Sequence, residues 1–238
     1  ALMNDNAGQL GLDSTHVVNV HGLDDTPAAE GNRTTVCDLA AMAQALLHYP
    51  QILEWSSTRI RPFRNGEFDL YTTNKLLGRY RGLDGLKTGY TQRAGHNLVA
   101  TARRQDMRLI SVIMGARSDK HRERETSRLL SWGFNHFVKG PIAVAGETIG
   151  AVPLDWGLEP EVTAVLADTV VAVLTPEQHR RIKREIELPK LYEAPVVEGD
   201  TLGTLQLSLD ERLLARVDLV AAASVGRMSM WEKLMSYF

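Results

Sequence analysis

At Lys139-Gly140-Pro141 the texture of this chain changes. Before that point apolar residues recur at helical spacing between short extended runs, and after it they alternate in brief segments divided by turn residues. A helix and a strand cannot bury the same pattern, because one repeats about every 3.6 residues and the other every two. The 238 residues are therefore expected to fold as a mixed unit over 1–138 and a smaller all-β unit over 139–226, with a separate tail over 227–238.

In the first part, Leu2 to Leu10 reads as a helix stopped by Gly11, with Leu10 and Leu12 supplying the apolar contact of a glycine C-cap. A loop to Arg33 follows. Thr34 or Thr35 then caps a helix whose Leu39, Met42, Ala43, Leu46 and Leu47 recur at core spacing, ended by Pro50. Cys37, in its first turn, is expected to be a buried small apolar residue. Between Trp55 and Gly82 the chain mixes short extended pieces around Asn65-Gly66, a hairpin turn pair. Three strands are predicted next, over 85–90, 96–103 and 108–115, the last two as an antiparallel hairpin. Ser118 caps a helix to Phe137 with Thr126, Leu129, Leu130, Gly133, Phe134 and Phe137 in one stripe, Gly133 allowing the sheet backbone to come close.

Beyond 139, strands are expected over 162–166, 170–174, 182–188, 202–209 and 214–220, with turns at 198–200 and 209–211. Ser229-Met230-Trp231-Glu232 has the capping-box pattern, and Trp231, Leu234, Met235 and Phe238 share one face of the helix it opens. Such a face lies flat on a membrane surface, or else packs on the second unit or on another copy of the chain as a homodimer.

A formal charge of -2 gives no general attraction to nucleic acid. One cysteine excludes an intrachain disulfide and a cysteine-based zinc site. His16 and His21 lack spaced acidic partners and read as loop residues, so neither metal nor cofactor is expected. No run of eighteen apolar residues and no export signal is present, and the opening Ala1-Leu2-Met3 reads as the middle of a helix, as expected of a fragment whose upstream part is missing.

Lys87-Thr88-Gly89 matches one of three elements that build a penicillin-binding site. The other two, Ser-x-x-Lys and Ser-x-Asn, occur nowhere in the 238 residues. Around the motif, Asp84-Gly85-Leu86-Lys87-Thr88-Gly89-Tyr90-Thr91, Asn74-Lys75-Leu76-Leu77, Ala94-Gly95-His96-Asn97-Leu98-Val99-Ala100, Met114-Gly115-Ala116 and Leu129-Leu130-Ser131-Trp132-Gly133-Phe134 stand in an order and spacing that resemble the D-alanyl-D-alanine carboxypeptidases, the low-molecular-mass penicillin-binding proteins.

That resemblance implies part of an α/β (α+β), β-lactamase-like penicillin-recognising domain: an antiparallel sheet flanked by helices, then an all-β domain and a short amphipathic anchor. It implies a serine peptidase that trims peptidoglycan pentapeptide through an acyl-enzyme, binds β-lactam antibiotics, and sits in the periplasm on the outer face of the cytoplasmic membrane. By the same likeness Lys87 is catalytic. Thr88 binds the substrate carboxylate, Gly89 lets the peptide approach, and the Tyr90 N–H is half of an oxyanion hole. Arg122 either lies near that carboxylate or is a solvated helix-start arginine. Some relatives carry an arginine where this chain has Thr73. Lacking a nucleophile, the chain alone is expected to be inactive. The rivals are a non-catalytic cell-wall or interaction module, half of an enzyme completed by another chain, and a β-lactamase, against which the β-rich tail argues.

Overall fold

The computed structural model describes residues 1–24, 27 and 31–235. Two compact units emerge, Ala1–His136 and Phe137–Phe238, each with its own buried apolar cluster.

In the first unit α1 (Leu2–Gln9) gives way at Leu10, and Gly11 takes the left-handed conformation at φ +68°. Of the two candidate caps for α2 (Val36–Leu46), Thr35 is used: its side-chain oxygen accepts the Asp38 N–H at 3.1 Å. Thr34 instead meets the Thr15 hydroxyl at 2.9 Å, and Thr15 donates to Asp38 at 2.6 Å, tying the preceding loop to the helix. Pro50 does not stop α2. It is the first residue of α3 (Pro50–Ser57), where a missing N–H costs nothing and a fixed φ suits the first turn. Within the expected stripe of α2 only Ala43 is buried, and Leu46 is exposed. Cys37 is also exposed, contrary to expectation. It lies about 120° around the helix from Ala43, on the other side.

β1 (Ile60–Phe63) and β2 (Phe68–Tyr71) form the hairpin expected at Asn65-Gly66, both turn residues having positive φ. All eight strand residues are exposed. Then β3 (Leu83–Thr91), β4 (Gly95–Arg104) and β5 (Met107–Ala116) make an antiparallel sheet in that order. Lys87 stands opposite Val99, Gly89 opposite Asn97 and Tyr90 opposite His96. Arg108 clasps Asp84 through two bonds of 2.8 Å and donates to the Thr101 hydroxyl at 2.8 Å, a strut from β5 across β4 to β3.

α4 (Asp119–His136) packs on this sheet through Arg122, Thr126, Leu130 and Gly133. The close approach at Gly133 is made by a side chain and not by sheet backbone: a Cβ there would stand 2.6 Å from Leu109 Cδ1 on β5. Leu129, expected in the stripe, is 42% exposed, since it sits about 100° back from Leu130 at the margin of the contact.

The second unit centres on a six-stranded sheet of order β10-β12-β13-β8-β7-β11, beside a two-stranded pair β6-β9. Five of these were anticipated: β8 (Glu161–Leu166), β9 (Val170–Leu174), β10 (Ile182–Glu187), β12 (Thr201–Leu209) and β13 (Arg212–Ala221). β6 (Val138–Ala143), β7 (Thr148–Asp155), β11 (Tyr192–Glu193) and the short α5 (Pro176–Arg180) were not. β6 carries Gly140-Pro141 and β7 carries Gly150 and Pro153, residues that disguise a strand in sequence and here accompany register shifts at Pro141/Ala143 and Thr148/Gly150. Val152, Ala164, Leu205, Leu207 and Leu219 are fully buried.

The tail forms α6 (Met230–Met235) with the capping box in place: Ser229 N–H donates to Glu232 at 2.7 Å, and Glu232 N–H to Ser229 Oγ at 3.3 Å. Lys233 pairs with Asp155 at 2.7 Å. Trp231, Leu234 and Met235 are exposed, while Phe238 lies outside the described residues. Among the described residues no helix is long and apolar enough to cross a membrane.

Candidate active site

Among the described residues β3 pairs only with β4, which leaves its other edge open. Beside that edge lies a cleft of about 980 Å³. Lys87, Thr88, Gly89 and Tyr90 line it from β3 and Arg122 from α4, with Thr15, Val17, Leu39 and Met42 also contributing from the loop and helix earlier in the chain. All five sequence-predicted site residues thus share one cavity.

Each enters by a distinct local cause. Lys87 falls on the exposed side of the alternating strand, and its ammonium donates to the Thr88 carbonyl. The Thr88 hydroxyl meets that of Thr73 at 2.6 Å. A side chain added at Gly89 would touch nothing closer than Asn97 Cβ at 4.0 Å, and its φ is not positive, so the fold itself does not demand glycine there. Backbone is left bare toward the cleft.

Arg122 is only 3% exposed, which overturns the solvated-arginine alternative. Its Nη2 pairs with Asp119 Oδ1 at 2.9 Å, its Nη1 donates to the Asn97 carbonyl at 3.4 Å, and its Nε has no hydrogen-bond partner. The same Asp119 oxygen bonds His96 Nδ1 at 2.9 Å, while Lys75 stands 4.0 Å from the other oxygen. Burial alone would raise the Asp119 carboxyl, but the His96 hydrogen bond and the charges of Arg122, His96 and Lys75 outweigh it and hold the group below the usual carboxylate value. The His96 ring lies against the Tyr90 ring at 4.3 Å between centroids.

His96 and Asp119 line the cleft too, and sequence reasoning gave neither a role. A hairpin register closing at Thr91 and Gly95 would have put His96 opposite Tyr90. Nothing in the sequence signalled Asp119. His16 and His21 serve their loop: His16 exchanges two backbone bonds of 2.8 Å with Arg33, and His21 Nδ1 accepts the Leu23 N–H at 3.1 Å.

Residues 1–118 match the family described as D-alanyl-D-alanine carboxypeptidase, and residues 137–227 match the C-terminal domain of penicillin-binding protein 5. Over 240 aligned residues the chain is 32% identical to D-alanyl-D-alanine carboxypeptidase DacD of Salmonella typhimurium, covering 100% of this chain and 60% of that protein. The chain belongs to the D-alanyl-D-alanine carboxypeptidase family. It spans only three fifths of that family member's length. Among solved structures of the family, penicillin-binding protein 5 from Haemophilus influenzae superposes with a TM-score of 0.64 at 30% identity, covering 95% of this chain and 65% of that one. Penicillin-binding protein D2 from Listeria monocytogenes, in its cefotaxime-bound form, gives 0.52 at 36% identity over 56% of this chain and 53% of that one. The fold is accordingly that of the penicillin-binding carboxypeptidases, a mixed α+β architecture with antiparallel sheets.

Proposed function

We propose that this chain supplies one wall of a serine-type carboxypeptidase site that removes the terminal D-alanine from peptidoglycan pentapeptide. The observation that carries the proposal is the cleft along the open β3 edge, where Lys87, Thr88 and Arg122 bring cationic and hydroxyl donors to one side. A peptide laid along that edge would pair with strand backbone over Gly89, and its carboxylate would be held by Thr88 and Arg122. Lys87 would stabilise negative charge as the acyl-enzyme forms, and the Tyr90 N–H would stabilise the oxyanion.

The attacking serine and its lysine base, in a Ser-x-x-Lys, are not among the 238 residues. They come from another stretch of polypeptide, so residues 1–238 alone are inactive. β-Lactams acylate the same assembled site, a reading supported by the cefotaxime-bound relative. Periplasmic placement follows from the substrate. The exposed Trp231, Leu234 and Met235 of α6 rest on the membrane surface.

Fluorescent penicillin tests the whole reading. No covalent label is expected on residues 1–238 alone, and label is expected once a Ser-x-x-Lys segment of a family member completes the site. Label on the isolated chain would refute the missing nucleophile. Failure of the completed site to label would refute the carboxypeptidase function.

A further inference from the structure

We infer that Asp119 is a positioning residue for carboxylate recognition, holding the Arg122 guanidinium and the His96 imidazole as one donor cluster on the cleft wall. The inference rests on the function proposed above and names how that site recognises its anion.

Arg122 is almost wholly buried, and a buried guanidinium without a partner is strongly unfavourable. The fold satisfies it only in part. The 2.9 Å bond from Nη2 to Asp119 is its one short contact; the Asn97 carbonyl lies at 3.4 Å and Nε bonds nothing. Arg122 is therefore anchored by Asp119 while keeping N–H groups to spare, the arrangement a fork-shaped donor needs to receive a second carboxylate.

The oxygen that anchors Arg122 also accepts from His96 Nδ1. Since His96 lies against Tyr90, a single carboxylate group ties the start of α4 to the end of β3. Shifting Asp119 would move the carboxylate-binding arginine and loosen the residue whose N–H faces the developing oxyanion. Lys75, 4.0 Å away, leaves the cluster with a net positive charge despite the aspartate.

Asp119 also stands in the first turn of α4, where any acidic residue stabilises a helix. A role limited to that would not depend on the ligand's charge. The test therefore compares acylation of the completed protein by benzylpenicillin and by its methyl ester, which lacks the free carboxylate, in wild type, Asp119→Asn, Asp119→Ala and Asp119→Glu. The acid-to-ester ratio of acylation rates is expected to fall about tenfold or more in the Asn and Ala variants, and to recover in part with Glu. An unchanged ratio in Asn and Ala, with or without a loss of thermal stability, would overturn the positioning role. Absence of acylation by both compounds in wild type would instead defeat the proposed function, and this inference with it.

Discussion

At the scale of single residues, Thr88 and Thr73 both line the cleft, and their hydroxyls are 2.6 Å apart. Thr88→Val keeps the β-branched shape and removes the donor. In the completed protein it is expected to lower kcat/KM for a D-alanyl-D-alanine peptide about tenfold, read by release of D-alanine. Asp119 makes a second prediction. Its folded pKa lies below that of an ordinary aspartate, so the stability it contributes is fully present above the unfolded value and is lost as pH falls through the lower, folded one. Urea unfolding between pH 5 and pH 2 is expected to show a shallower acid loss for Asp119→Asn than for wild type, and parallel curves would reject this. The common placement of Lys87, Thr88, Gly89 and Tyr90 along β3 was legible in sequence because a contiguous run on one strand carries its own geometry. Arg122 reaches the same cavity from α4, and His96 and Asp119 join it only through contacts between elements, which no local pattern encodes.

Turns and strand edges set the outcome at the scale of elements. Gly82, just before β3, has φ +80°, and a Cβ there would stand 2.1 Å from the Arg103 carbonyl oxygen. Gly115 is also left-handed at φ +66°, but a Cβ there meets nothing within 4 Å. Gly115→Ala is expected to cost about 1–2 kcal/mol for its conformation alone, and Gly82→Ala more than that, since backbone must move as well. Denaturant midpoints compare the two, and equal losses would contradict the steric argument. Helices were recognisable where a cap and a stripe coincide, as at Thr35 and at Ser229. Pro50 opens α3 where the sequence predicts the end of α2, because proline is as well suited to starting a helix as to ending one. β6 and β7 are obscured in sequence for a related reason: Pro141 and Gly150 border register shifts that tertiary pairing accommodates, and Gly140 and Pro153 are poor strand formers held in regular register.

Over the whole molecule, the division into Ala1–His136 and Phe137–Phe238 leaves each part with a separate buried cluster. Leu205 is fully buried in the second, so Leu205→Ala is expected to destabilise that unit by about 2–5 kcal/mol. Leu129→Ala, at the half-exposed margin of α4, is expected to cost less than about 1 kcal/mol. Thermal unfolding monitored by circular dichroism checks both. The change of apolar period near Lys139 lies beside the division between the two units, while the tail expected to stand apart falls within the second. The extent of each core was not, since burial depends on what packs opposite: Leu46 has helical spacing yet remains exposed.

The paired hydroxyls of Thr73 and Thr88 carry one more consequence. Two hydroxyls own two hydrogens, and only one is consumed between them, whichever threonine gives it. The other stays available for an arriving anion, and a simple reversal of the shared bond transfers that capacity from one threonine to its neighbour. The donor position at this edge of the cleft can thus pass between the two threonines without either backbone moving.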